Sequence, residues 1–292
     1  RPAYSTGGEG GGIAYNVEEL RALAGRAISA SPIGQILVEQ AVLGWQELEL
    51  EIIRDSKSSI IAVCGIENID GMGIHNGDSL CCAPMLAVEQ GVRARMEKTA
   101  RKIADELKIT GIANIQFAYD KASDYLAVID ITPYFSRSSA LASKASGLPA
   151  ARLSAMAAAG MTLDEIKTSA GEPISGYKEN PQHIAVRMPK WDFEKLKGSR
   201  DLLDIQKKST GEAIGIGKTY REALQKAAAS LDKSGLDDDA LSGKTAEQLS
   251  AALRMPSSKR HFIIYRLLKM GADVSRICEI TGIDSFFINE MK

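Results

Sequence analysis

The sequence predicts an α+β domain over residues 1–233 followed by a small all-helical region over 234–292. Three observations carry this. The 292 residues amount to two domains at roughly 150 residues each. The strand candidates come as hairpin-like neighbours, not in strict strand–helix–strand alternation, which favours a mixed or antiparallel sheet over a doubly wound one. Near residue 233 the composition shifts: residues 232–239 are acidic with Ser and Gly, a linker composition, and only helical patterns follow.

The elements follow in order. Asn16 caps a helix over 17–29, with Leu20, Leu23, Ala24 and Ala27 at helical spacing. Residues 36–39 read as a short strand. Residues 47–53 alternate acid and aliphatic, the period-two mark of a half-buried strand. Residues 59–64 form a further strand, and a loop of Gly and small polar residues spans 67–79. One helix covers 88–107. Strands at 112–118 and 125–131 flank the turn at Lys121 to Asp124. Small-residue helices follow at 137–145 and 148–159, and Thr162 with Glu165 makes a capping box that predicts another. Residues 184–188 are a strand, Thr219 caps a helix over 219–231, and Thr245 with Gln248 opens the helical tail.

Composition narrows the function. Apolar residues are 45% and charged residues 25%, ordinary globular values. Lys and Arg number 36 against 37 Asp and Glu, a net charge of −1. That balance lacks the basic surplus a nucleic-acid coat needs. No stretch approaches the ~20 apolar residues of a membrane span, and no signal peptide is visible. The expectation is a cytoplasmic protein with no membrane or nucleic-acid partner. Cys64, Cys81, Cys82 and Cys278 lack CxxC spacing, so neither a disulfide framework nor a zinc site is expected. The start at Arg1, running at once into a glycine loop, is expected of a piece of a longer chain.

Several residues could carry chemistry. In Gly7-Gly8-Glu9-Gly10-Gly11-Gly12 backbone N–H groups can converge on an anion without side-chain obstruction, although Glu9 would repel phosphate. Gly217-Lys218-Thr219 imitates a phosphate-loop ending, but the position five before Gly217 holds Glu212, so it reads as a strand-to-helix turn. Gln116 on one strand, with Asp130 and Thr132 at alternate positions on the next, offers oxygen ligands of the kind magnesium accepts. His75 lies in a glycine-flanked loop, whereas His183 and His261 read as structural. Gly44-Trp45 reads as a turn with one buried aromatic.

These residues together resemble one family. The matching motifs are Arg1-Pro2-Ala3-Tyr4, the glycine loop through Tyr15, Gly44-Trp45, Ile66-Glu67-Asn68, Met72-Gly73-Ile74-His75, Asn114 to Ala118 and, longest, Ser136 to Ala145. They resemble the first ATP-grasp half of the carbamoyl-phosphate synthetase large subunit. The tail, with Thr281-Gly282-Ile283-Asp284, is similar to that enzyme's oligomerisation domain. The resemblance implies an ATP-grasp fold and a ligase that uses ATP to phosphorylate bicarbonate, giving carboxyphosphate. It implies magnesium or manganese, a glutaminase subunit, a second ATP-grasp half, self-association and a role in arginine and pyrimidine synthesis. The implied nucleotide contacts fall on Arg1, Gly7, Gly8, Gln40, Val42, Glu47, Gly73, Ile74, His75, Gln116 and Asp130. Gln116, Asp130 and Thr132 fall on the metal ligands, and Arg137 and His75 on catalytic positions.

The chain departs from the family pattern where charge matters. Gln40 stands for a Glu, Asp130 for a Glu one methylene longer, Thr132 for an Asn ligand and Tyr134 for an Arg. Phosphoryl transfer depends on metals and cations that neutralise the equatorial oxygens, so each change at the metal end weakens the expected site. An alternative is therefore a divergent ATP-grasp relative that serves as a nucleotide-binding or structural subunit. A different ATP-grasp enzyme, such as a biotin-carboxylase relative, is disfavoured by the helical tail.

Overall fold

A computed structural model describes residues 1–5, 7–195, 198, 200–231 and 235–292. One seven-stranded sheet organises the chain: β1 Gln46–Arg54, β2 Ile60–Asn68, β3 Cys81–Ala83, β4 Gly111–Asp120, β5 Tyr125–Thr132, β6 Ile184–Lys190 and β7 Gly211–Gly217. Its order is β5-β4-β1-β2-β3-β6-β7, and every neighbouring pair is antiparallel. The helices are α1 Val17–Ala30, α2 Gln90–Glu106, α3 Arg137–Ser146, α4 Ala150–Ala158 and α5 Tyr220–Leu231, then α6 Ala246–Ala252, α7 Arg260–Lys269, α8 Val274–Thr281 and α9 Ser285–Met291.

The two faces of the sheet are covered differently. On one face Leu48, Leu50, Ile52, Ile115 and Phe117 pack against α2 through Met96, Ala100 and Ala104. The same face continues over β3 and β6, where Cys82, Val186 and Met188 meet α5 and the tail helices. On the other face α3 and α4 cover part of the sheet with Leu141, Ala142, Ala145 and Leu153. The rest of that face opens toward residues 1–44.

The tail packs on the chain itself. Leu249, Leu253, Ile263, Ile264, Leu267, Phe287 and Ile288 are buried in one cluster with Tyr220 and Leu224 of α5. The apolar stripes of the tail helices are thus covered within the chain. A contact between copies would have to use side chains exposed here, such as Met255 and Met270. A buried ion pair fastens the same junction. Arg260 donates from Nη1 to Asp70 at 2.7 Å and from Nη2 to the Thr281 carbonyl at 2.7 Å. His261 Nε2 lies 3.4 Å from the other Asp70 oxygen. Burial alone would raise the Asp70 pKa, but the His261 and Arg260 contacts outweigh it and hold the carboxyl below its ordinary value.

Four expectations need correction. Residues 36–39 form no strand: only Ile36 bridges, to Pro2, so the segment has one pairing and no ladder. The strand β1 is not half-buried, because both its faces are covered and Glu49 and Glu51 are wholly buried. Thr162 and Glu165 do exchange the reciprocal bonds of a capping box, yet only a turn follows, since Ile174 N–H returns to the Ile166 carbonyl and closes a loop instead. His183 is exposed and not structural, whereas His261 is buried as expected. The central strand β3 was not anticipated, three residues being too few to show a period. The expected boundary at 233/234 lies outside the described residues. All four cysteines are free and three are buried. No helix among the described residues is long and apolar enough to cross a membrane.

Candidate active site

Strand alternation builds the site floor. Side chains two apart share a face, so Glu47, Glu49 and Glu51 of β1 point away from the α2 core. The β1–β4 register sets Glu49 opposite Gln116 and Glu51 opposite Asn114. The β4–β5 register sets Gln116 opposite Asp130 and Asn114 opposite Thr132. The expected metal ligands Gln116, Asp130 and Thr132 therefore share a face with Glu47. A β-bulge after Gln116 is absorbed on β5 at Ile129, which keeps this register despite the strand twist.

Amides hold the acids in place. Asn114 Nδ2 donates to Glu49 at 3.0 Å and to Glu51 at 2.8 Å. Asn68 donates to Glu49 at 3.0 Å, and the Ser139 hydroxyl of α3 donates to Glu51 at 3.1 Å. Ser139 is placed by the capping box it shares with Ser136, which starts α3. Burial pushes Glu51 up to about 8, with Glu49 adding to the rise and the Asn114 and Ser139 bonds opposing it. Burial, reinforced by Glu49, also pushes Glu47 up to about 8, while Arg187 opposes. Glu47 has no hydrogen-bond donor among the described residues, so its oxygens are available to a ligand.

The 69–80 loop forms the second wall. Two backbone bonds join it to the segment that carries Gln40 and Val42: Gly44 N–H to Met72 O and Met72 N–H to Trp45 O, both 2.8 Å. Gly73 takes φ 119°, a conformation few side chains adopt. His75 Nδ1 accepts the Gly77 N–H at 3.0 Å, so in the neutral ring Nε2 carries the proton. Burial holds the His75 pKa below its ordinary value, with Arg137, Lys207 and Arg187 adding to the effect and Asp78 opposing it. Trp45 is half-buried and meets Tyr125 edge-on at 6.0 Å.

Cations gather opposite the acids. Arg187 on β6 is 1% exposed. Its Nη2 donates to the Asn76 carbonyl at 2.9 Å, and its Nε has no hydrogen-bond partner. Glu212 on β7 lies 4.0 Å from Arg187 and 3.3 Å from Arg137. Arg137 is exposed at the start of α3, where its Nη1 donates to Glu212. The guanidinium of Arg1 instead pairs with Glu39 at 2.6 Å, so it is not a free cation facing a phosphate. In the glycine loop Gly7 and Gly8 take φ 63° and 79°, and a Cβ on Gly8 would collide with the Ile205 carbonyl. Glu9 is exposed.

The structure thus brings Glu47, Gln116, Asp130 and Thr132 onto one face and bonds the segment of Gln40 and Val42 to the loop of Gly73, Ile74 and His75 through Met72. Sequence reasoning missed Glu49, Glu51, Asn114, Arg187 and Glu212. The available signal was three acids at alternate positions facing a strand with Asn and Gln at alternate positions. Three acids on a strand were read as a solvated face, but the amides opposite make it an interior one.

The model of the carbamoyl-phosphate synthase L chain, ATP binding domain, matches residues 1–166. The model of the carbamoyl-phosphate synthetase large chain, oligomerisation domain, matches residues 212–292. The chain is 42% identical to the carbamoyl phosphate synthase large chain of a Nostoc species over 297 aligned residues, covering 100% of this chain and 27% of that one. It is likewise 42% identical to the Archaeoglobus fulgidus large chain, covering 28% of it. The chain spans about a quarter of the length of the curated relatives it matches. A biotin carboxylase from Campylobacter jejuni shares the fold with a TM-score of 0.59 at 13% identity, over 94% of this chain and 63% of that one. The fold is the expected ATP-grasp α+β architecture with a helical region after it. On the match across more than half its length, the chain belongs to the carbamoyl-phosphate synthase large-chain family.

Proposed function

We propose that this chain binds ATP and phosphorylates bicarbonate to carboxyphosphate, the first step of carbamoyl phosphate synthesis. The observation that carries the reading is the shared face of Glu47, Gln116, Asp130 and Thr132, flanked by the His75 loop and by Arg137 and Arg187. Glu47 accepts hydrogen bonds from ribose hydroxyls. Gln40 and Val42, on the segment bonded to Met72, border the base. Gly7 and Gly8 offer backbone N–H groups to the phosphates. His75, neutral and donating from Nε2, hydrogen-bonds a phosphate oxygen without adding a full charge.

Gln116 and Asp130 are cross-strand neighbours, and Asp130 is partly turned to its own backbone, its Oδ1 accepting the Ile131 N–H at 2.9 Å. No group of three His, Cys, Asp or Glu suited to a metal occurs among the described residues. One carboxylate and one amide carbonyl fit magnesium, which keeps few protein ligands when substrate phosphates complete its shell; manganese takes the same oxygens. Gln116, Asp130 and Thr132 would hold it, and it would supply charge neutralisation at the phosphoryl oxygens. Arg137 binds the bicarbonate. A bicarbonate oxygen then attacks the γ-phosphorus as ADP leaves.

In the longer proteins of this family the further partners are a glutaminase subunit that supplies ammonia and a second ATP-grasp half that phosphorylates carbamate. The product feeds arginine and pyrimidine synthesis in the cytoplasm, and self-association uses side chains that the tail leaves exposed, such as Met255 and Met270. The test is ADP release by the full chain with and without bicarbonate, in magnesium. Expected is a bicarbonate-stimulated rate that falls at least about a hundredfold in Asp130→Ala. A rate indifferent to bicarbonate, or unchanged in Asp130→Ala, overturns the reading.

A further inference from the structure

The loop at 204–209 touches both walls of the site. Asp204 accepts the His75 N–H at 2.7 Å through its carbonyl, and Lys207 donates its N–H to the Gly7 carbonyl at 2.9 Å. Asp78 accepts the N–H groups of Lys208 and Ser209, both at 2.7 Å. The Ser209 hydroxyl donates to the Gly77 carbonyl at 3.0 Å. The glycine loop and the His75 loop are therefore stapled by one short segment, and Lys207 stands between them.

The side chain of Lys207 is placed to act. Its Cβ would lie 3.6 Å from a Cβ built on Gly7. Its ammonium donates to the Ser209 carbonyl at 2.8 Å, which carries it toward Gly77 and Arg137; a Cβ on Gly77 would be only 2.6 Å from an Arg137 nitrogen. No carboxylate pairs with Lys207 among the described residues. Asp78 is used by backbone donors and Asp204 by Lys208, at 2.5 Å. An ammonium has three donors, and this one spends a single donor within the protein. Beside a glycine loop with no side chains to obstruct its backbone N–H groups, its remaining donors suit phosphate oxygens.

We propose that Lys207 is a phosphate-binding residue of this site. It supplies, from the loop opposite β5, a cation on a site where Tyr134 brings none and Arg1 is held by Glu39. The inference rests on the nucleotide reading above.

The experiment is titration of the full chain with magnesium–ADP and with adenosine, comparing Lys207→Met and Lys207→Arg with the unaltered protein. One charge-assisted contact corresponds to a loss of roughly ten- to a hundredfold in ADP affinity for Lys207→Met. Adenosine affinity should change by less than about twofold, because the nucleoside has no phosphate to meet the ammonium. The ADP loss should shrink as salt is raised, and Lys207→Arg should recover most of it. Unaltered melting temperatures show that the fold is intact. Equal ADP affinity in Lys207→Met overturns the inference and leaves the nucleotide reading standing. Equal losses for ADP and adenosine also overturn it, since they assign Lys207 to loop structure alone. If the unaltered chain binds no ADP, both fall together.

Discussion

The strand β1 offers two faces of equal burial and opposite chemistry. Leu48, Leu50 and Ile52 are at most 4% exposed, and Glu47, Glu49 and Glu51 at most 5%. The leucines are held by packing, which has no direction and no dependence on pH. Glu49 and Glu51 are held by Asn68, Asn114 and Ser139, whereas Glu47 has no such donor. Burying a carboxyl costs stability unless it is bonded or neutral. A strand that keeps three such groups where aliphatics would pack is organised for a ligand on that side and for stability on the other.

Breaking the packed side should give the largest change. Leu48→Ala is expected to cost about 3–4 kcal/mol of stability through lost transfer energy and an unfilled cavity. Magnesium–ADP affinity of the folded fraction should be unchanged. Denaturant unfolding and nucleotide titration check this, and a selective loss of affinity would mean that the two faces are not separable.

The acidic side should respond to pH. The pKa of Glu51 is about 8 in the fold, against 4.5 for an unburied glutamate. A group raised in this way favours the native state fully below 4.5, and its contribution is lost as pH climbs through 8. Replacement by the neutral isostere Glu51→Gln should therefore stabilise the protein by up to about 5 kcal/mol at pH 9 and by nothing at pH 4. Stability curves that run parallel from pH 4 to 9 would show that the carboxyl does not titrate as its burial demands.

The smallest effect on stability should come from the open rim. Thr132→Asn with Tyr134→Arg should alter stability by less than about 0.5 kcal/mol, because neither residue is buried. It should raise magnesium–ATP affinity about tenfold, through a better oxygen ligand and a planar cation. Unchanged affinity in calorimetry would place these side chains away from the nucleotide and sharpen the floor to Gln116 and Asp130.

The fold was legible where a period spans several residues. The strands β4 and β5 and the Thr245 capping box carry local signals that tertiary contacts reinforce, while α1 rests on its Asn16 cap and buries only Ala27. What stayed hidden depends on partners distant in sequence. The burial of Glu49 and Glu51 requires Asn68, Asn114 and Ser139, and no window around β1 contains them. The strand β3 exists because β2 and β6 leave a slot of three residues between them. Residues 36–39 have the composition of a strand but no neighbouring ladder. Among candidate site residues, Gln116, Asp130 and Thr132 stood out by strand position and Glu47 by the resemblance, and the strand register puts all four on one face. Arg187 sits in an apolar strand pattern and Lys207 in a polar loop, and neither position announces a charge aimed at the site.

The Asp70–Arg260 pair has a consequence for how the chain can change over generations. Removing one partner leaves a lone buried charge, at a cost of roughly 3–5 kcal/mol, comparable to much of a domain's whole stability. Asp70 lies in the loop that carries Gly73 and His75, and Arg260 opens α7 in the tail. Neither residue has an inexpensive single-step path away from its present identity. The loop beside the candidate site and the tail helix 190 positions later are therefore inherited as one unit, and recombination that exchanges the tail must bring a partner for Asp70 with it.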